Sequence, residues 1–212
     1  KTRKIRTALY NDLPGEKAHA LMAPRPKYIE GIEGVHPCPP VNSAILALIV
    51  PFENELALPL IKRVNRGKYH GGQIAFPGGK MEKEDADALQ TALRECHEEI
   101  GVPEEKVSIL GVLSDIYIPL SNFNITPIVG TTLQLPDFIL SQDEVEKVIL
   151  VKLRDLFDDR NKTTHSFVRH DHKIIAPGYK IGENFIWGAT AMIIAELEQL
   201  MKTNTFNHLG KL

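Results

Sequence analysis

Three glutamates carry the most specific chemical signal in this chain. Glu95, Glu98 and Glu99 stand at i, i+3 and i+4, so a helix through them gathers their carboxylates on one face. Clustered carboxylates suit a hard divalent cation, and Mg²⁺ in particular is often shared between protein carboxylates and substrate phosphates. An acidic helix face taken alone is the ordinary solvated surface of a globular protein. The neighbours argue for more than that. Gly78 and Gly79 lie upstream, where a turn can bring backbone close to a ligand; Arg94 precedes the first glutamate and Gly101 follows the last.

The helix is legible in its apolar residues. Leu89, Ala92, Leu93, Cys96 and Ile100 recur at three- and four-residue steps and form one stripe. Asp85 or Asp87 can cap its start, and Gly101 followed by Pro103 can end it. The three glutamates fall mostly off that stripe.

The run from Gly79 to Val102, closing in Arg94-Glu95-Cys96-His97-Glu98-Glu99-Ile100-Gly101-Val102, resembles the Nudix box. That box is the signature of hydrolases that cleave a diphosphate linked to another moiety. Cys96 fills an aliphatic slot. Asp85 stands where the general pattern has Glu, and eight residues rather than seven separate it from Arg94. Both departures are similar to those of the coenzyme A pyrophosphatase branch. So is the segment upstream, a basic stretch followed by His70-Gly71-Gly72-Gln73-Ile74-Ala75-Phe76-Pro77-Gly78-Gly79. Lys68 stands where that branch usually carries Arg, which keeps the charge but gives up a bidentate phosphate contact.

The resemblance implies an α/β/α sandwich around a mixed sheet, over about residues 43–202. It also implies Mg²⁺ or Mn²⁺ held by Glu95, Glu98 and Glu99, with the Gly79 carbonyl as a further ligand. Glu98 or Glu99 is then the general base, and Arg94 orients a carboxylate through a salt bridge. Asp85 supports the site from behind or caps the helix. The implied substrate is coenzyme A or a thioester of it, cleaved to 3′,5′-adenosine diphosphate and 4′-phosphopantetheine or its acyl form. Lys62, Arg63, Arg66 and Lys68 would answer the phosphates, beside His70 and Gln73; Gln73 has the alternative of bracing its loop through backbone hydrogen bonds. Glu144 is the candidate for an additional carboxylate, against the plainer reading of a solvated acidic turn. Trp187, the single Trp, could stack on a base, although core packing is the usual role of that residue. The rival activities are hydrolysis of another nucleoside diphosphate, such as ADP-ribose, and catalytically silent nucleotide binding.

The elements that must position these residues are also readable. Ser43–Pro51 is a short buried strand ended by proline, and Glu53-Asn54-Glu55 is a turn. Strands are expected over Leu56–Arg63, Val107–Tyr117, Asn124–Thr132 and Glu146–Leu153, the last followed by a short helix through Leu156. His165–Val168 and Lys173–Ile175 flank a hairpin turn, and Gly188–Lys202 is an amphipathic helix. Strands alternating with an early and a late helix argue an α/β fold with a mixed sheet. Residues 1–42 read as an extension with a short helix around Gly15–Met22 and a Pro-rich stretch from Pro24 to Pro40. Capping the sheet, shaping the pocket and forming a homodimer contact are its three readings. Residues 43–212 are the hydrolase domain.

Composition narrows the class. With 212 residues, 25% charged and 43% hydrophobic, the chain is an ordinary globular protein of one domain plus extension. A net charge of −2 provides no general attraction for nucleic acid. No apolar run is long enough to span a bilayer, and the basic start lacks the apolar stretch of a secretory signal. Lacking Met, it is expected to begin inside a longer product. Two cysteines, Cys38 and Cys96, without CxxC spacing argue against a disulfide framework or zinc site, so a cytoplasmic setting is expected. His165, His170 and His172 lack the geometry of a zinc site as well.

Overall fold

The computed structural model describes residues 2–25, 38–65, 72–169 and 172–203. Its spine is strand β1 (Val41–Phe52), whose side chains alternate between two cores. Ala44, Leu46, Leu48 and Val50 pack on Ala92, Leu93, Cys96 and Ile100 of helix α3 (Ala88–Ile100). Ala47 and Ile49 face the other way, into a core with Ile193, Ile194 and Leu197 of α5 (Gly188–Thr203). A strand buried on both faces has no polar side to show, so its sequence is continuously apolar.

The sheet is mixed. β7 (Phe123–Thr131) runs parallel to β1 along one edge. On the other edge β1 is shared. Its C-terminal end pairs with β2 (Glu55–Arg63) through the tight Glu53–Asn54 turn, where both residues have positive φ, 48° and 62°. Its N-terminal end pairs antiparallel with β4 (Gly78–Lys80), Ile45 opposite Gly78 and Ser43 opposite Lys80. The sheet therefore forks between β2 and β4. β3 (Ile74–Ala75) and β8 (Val145–Lys152) pair with β2, and β5 (Ser108–Val112) and β6 (Ile116–Ile118) with β7. α3 covers one face, while α5, α1 (Thr2–Leu9) and α2 (Glu16–Met22) cover the other. The result is the α/β/α sandwich that the motifs imply.

Several elements differ from the sequence reading. The basic start forms α1, because Ile5, Ala8 and Leu9 repeat at helical spacing and enter the core. The strand expected over Val107–Tyr117 is broken into β5 and β6. The register slips between Ile109 and Gly111, and the Ser114 N–H leaves the ladder for the buried Glu196 carboxylate. The hairpin near the three histidines is longer than expected, β9 (Lys162–Arg169) with β10 (His172–Ile181), and β11 (Asn184–Trp187) adds a third strand. The short helix through Leu156 is present as α4 (Leu153–Leu156). Cys38 is exposed and Cys96 buried, both as free thiols.

The extension is tied to α5 by one polar contact set. Glu196, with no exposed surface, accepts hydrogen bonds from the Gly15 N–H at 3.0 Å and the Ser114 hydroxyl at 2.6 Å. His19 Nε2 lies 2.9 Å from its second oxygen.

Candidate active site

α3 carries the glutamates, and both of its ends are fixed. Asp87 is the N-cap, accepting from the Gln90 N–H at 2.8 Å, and Gly101 closes the helix in the left-handed region at φ 71°. The Ile139 and Ser141 N–H groups then bond the Ile100 and Glu99 carbonyls, each at 3.0 Å, which pins the last turn under the loop before β8. One helix thus presents three carboxylates in three environments.

Glu99 points inward and is 1% exposed. Its carboxylate accepts from the Gly78 N–H at 2.8 Å and pairs with the Arg63 guanidinium at 3.1 Å. Burial pushes its pKa up to about 7, against the opposing effects of Arg63 and the Gly78 N–H. Glu95 is half-buried beside Gly79, so closely that a Cβ at Gly79 would overlap its carboxylate. Burial raises Glu95 too, partly offset by Arg94. Glu98 is the most exposed of the three.

Arg94 organises the outer half of the site. Its Nε and Nη2 grip the two oxygens of Asp85 at 3.0 and 2.9 Å, a bidentate pair. Nη1 reaches Glu95 at 2.9 Å and Glu98 at 3.0 Å, and Nη2 also donates to the Lys80 carbonyl at 3.2 Å. Asp85 accepts besides from the Glu82 N–H and the Thr91 hydroxyl, and the hydrogen bonds from Arg94 hold its pKa far below the usual carboxylate value. Asp85 therefore braces Arg94, while Asp87 does the capping.

Arg63 and Lys62, expected to answer substrate phosphates, each pair with a carboxylate of the protein. Arg63 lies on Glu99 and donates to the Gly78 carbonyl at 2.7 Å. Lys62 pairs with Glu146 of β8 at 2.7 Å. Strand alternation held the signal: Arg63 is two residues beyond Ile61, which packs in the α3 core. Arg63 and Gln73 form a backbone rung, the Arg63 N–H donating to the Gln73 carbonyl at 3.0 Å. Arg66, Lys68 and His70 lie outside the described residues. Glu144 is near enough for its charge to raise both Glu95 and Glu99, and its carbonyl accepts from the Val64 N–H at 2.9 Å. Trp187 is half-buried with its ring edge-on to Phe167, 4.7 Å between centroids. His97 is exposed on the outer side of α3.

Among the described residues no three His, Cys, Asp or Glu side chains are gathered into a coordination cluster. The cause is visible in the pairing: Glu95 and Glu98 turn onto Arg94, and Glu99 onto Arg63. The donor set still fits a hard divalent cation, with carboxylates of one helix turned towards a glycine backbone and partly withdrawn from water. Among the described residues, too, no helix is long and apolar enough to cross a membrane.

Residues 42–170 match the NUDIX domain family model. The chain is 34% identical over 161 residues to a protein of Enterobacter sp. (strain 638) described as an uncharacterised Nudix hydrolase, NudL; the match covers 74% of this chain and 82% of that one. A NudL of Pectobacterium atrosepticum is 35% identical over 158 residues, covering 74% and 80% of the two chains. Among solved structures, a MutT protein from Methanosarcina mazei Go1 superposes with a TM-score of 0.51 at 18% identity, covering 79% of this chain and 96% of that one. The Nudix hydrolase RenU from M. smegmatis gives 0.50 at 15% identity, covering 82% and 91%. At such identities these two establish the fold alone. The family model and the NudL relatives establish more: the chain belongs to the Nudix family, hydrolases of nucleoside diphosphate derivatives.

Proposed function

We propose that this protein hydrolyses the diphosphate of coenzyme A or its thioesters, releasing 3′,5′-adenosine diphosphate and (acyl-)4′-phosphopantetheine. One observation carries the reading. The described part of the segment that resembles the coenzyme A pyrophosphatase motif, residues 72–79, meets the carboxylate helix: Gly78 bonds Glu99, and Gln73 pairs with Arg63, itself on Glu99. A substrate held by that segment would have its diphosphate beside the glutamates.

Glu95, Glu98 and Glu99, with the Gly79 carbonyl, would hold Mg²⁺ or Mn²⁺. Bound there, the cation would neutralise phosphate oxygens and make its bound water more acidic. Glu98 or Glu99 takes the proton from the water that attacks phosphorus. Burial at Glu99 raises its basicity towards the neutral range, the condition a general base needs. Arg94 fixes the rotamers of Glu95 and Glu98 while Asp85 fixes Arg94. Lys62, Arg66 and Lys68 of the basic stretch would supply positive charge for the phosphates of the substrate.

Purified protein incubated with coenzyme A and Mn²⁺ or Mg²⁺ is expected to yield the two products, with turnover abolished by chelator. Cleavage of ADP-ribose but not of coenzyme A would reject the substrate assignment and keep the chemistry. Parallel assays on 3′-dephospho-coenzyme A report whether the 3′-phosphate is recognised.

A further inference from the structure

We infer that Arg63 is a positioning residue: its guanidinium bridges the Glu99 carboxylate and the Gly78 carbonyl and fixes that glutamate's orientation for the hydrolytic step. The inference rests on the catalytic role proposed for Glu99. It departs from the motif resemblance, which assigns the basic stretch, Arg63 included, to substrate phosphates.

Three contacts close a ring. Arg63 Nη2 lies 3.1 Å from one Glu99 oxygen, the Gly78 N–H donates to the other at 2.8 Å, and Nη2 donates to the Gly78 carbonyl at 2.7 Å. Glu99 is 1% exposed, so these contacts stand in for water around it. The ring also ties β2 to β4 across the fork in the sheet, because Arg63 belongs to one branch and Gly78 to the other. The Arg63 backbone is anchored on both sides, N–H to the Gln73 carbonyl at 3.0 Å and carbonyl to the Gly72 N–H at 2.9 Å. A side chain so placed sets where a neighbouring carboxylate points. Both contacts come from one nitrogen, Nη2, whose N–H directions the guanidinium plane fixes; lysine keeps the charge, but its ammonium rotates freely and sets no direction.

The two roles for Arg63 separate in kinetics. A phosphate ligand acts on substrate binding, so its loss raises KM; a residue that acts through Glu99 acts on turnover. Arg63→Met and Arg63→Lys are therefore compared with wild type at saturating metal, each after a thermal melt shows that it is folded. Arg63→Met is expected to lower kcat by roughly 10- to 100-fold with KM within about threefold, and Arg63→Lys to fall between, effects of the size expected for misplacing a catalytic group. In combination with Glu99→Gln, the Arg63 substitution is expected to cost almost nothing further, since residues that act as a unit are not additive. A tenfold or greater rise in KM with kcat retained, or full additivity in the double variant, would overturn the inference. If the wild type cleaves ADP-ribose in place of coenzyme A, the same cycle is run on that substrate; the substrate assignment then fails while the Arg63 test stands. Calorimetry with 3′,5′-adenosine diphosphate needs no turnover: unchanged affinity in Arg63→Met supports the positioning role, and a tenfold loss assigns Arg63 to the phosphates.

Discussion

Replacing Glu99 by Gln is expected to remove a loss of stability that the metal-free protein suffers as pH rises through neutrality, while severely reducing turnover. The folded environment raises the Glu99 carboxyl from 4.5 to about 7, first because burial penalises its charge. At about 1.4 kcal/mol per tenfold change in proton affinity, that shift corresponds to about 3 kcal/mol. The sign follows from linkage. Between pH 4.5 and 7 the folded state holds a proton that the unfolded state has released. Stability from this group is therefore complete below the unfolded value and is lost as pH rises through the folded one. The amide of the Glu99→Gln variant does not titrate. The pairing with Arg63 strengthens as Glu99 ionises and opposes the rise, so its effect is already contained in the folded value of about 7. Urea denaturation in the presence of chelator, at about pH 5 and about pH 8, reads the effect. Wild type is expected to lose about 2–3 kcal/mol relative to Glu99→Gln between those two conditions. If the two proteins change in parallel, Glu99 does not titrate where its burial places it, and the account of its basicity fails.

Two further perturbations probe the parts around it. Glu196→Ala removes the acceptor for the Gly15 N–H, the Ser114 hydroxyl and His19, and is expected to cost about 3–5 kcal/mol in denaturant melts. Burial pushes Glu196 up, but His19, Ser114 and the Gly15 N–H outweigh it and hold the carboxyl below its usual value. Its contribution is thus present above the unfolded value and is lost as pH falls through the folded one, so the variant is expected to lose less stability on acidification than wild type. Gly79→Ala places a methyl group in the Glu95 carboxylate and is expected to reduce turnover at least roughly tenfold, with a higher metal concentration needed for half-maximal activity.

The helix that carries the three glutamates was legible because every signal for it is local. The cap at Asp87, the apolar stripe through Ala92 and Cys96 and the stop at Gly101 follow one another along a single short stretch, and the three glutamates fall between them. β1 was legible for the same reason, as a bounded apolar run. What the sequence withheld is set by contacts distant along the chain. Arg63 meets Gly78 and Glu99 only because β2 and β4 share one edge of β1. The break between β5 and β6 depends on Glu196, 82 residues beyond Ser114. α1 was hidden by its charge: Arg3, Lys4 and Arg6 mask Ile5, Ala8 and Leu9, whose spacing is the actual signal.

Charge balance connects the structural pairing to the chemistry. Four carboxylates, those of Asp85, Glu95, Glu98 and Glu99, are answered by two guanidinium groups, those of Arg63 and Arg94. Asp85 takes the bidentate face of Arg94, which holds the Asp85 pKa far below the usual range, so its charge is committed to that partner. The remaining negative charge sits on the three helix glutamates, and Glu144 adds to it from the loop before β8. Burial is the first cause of the raised pKa of both Glu95 and Glu99, and the neighbouring carboxylates add to it against the lowering by the arginines. A divalent cation would supply that charge at the place where a substrate diphosphate also needs it. Arg94 and Arg63 would then serve to aim the carboxylates, the first at Glu95 and Glu98 and the second at Glu99. This division explains why guanidinium groups, with two or more fixed donor directions, occupy both positions.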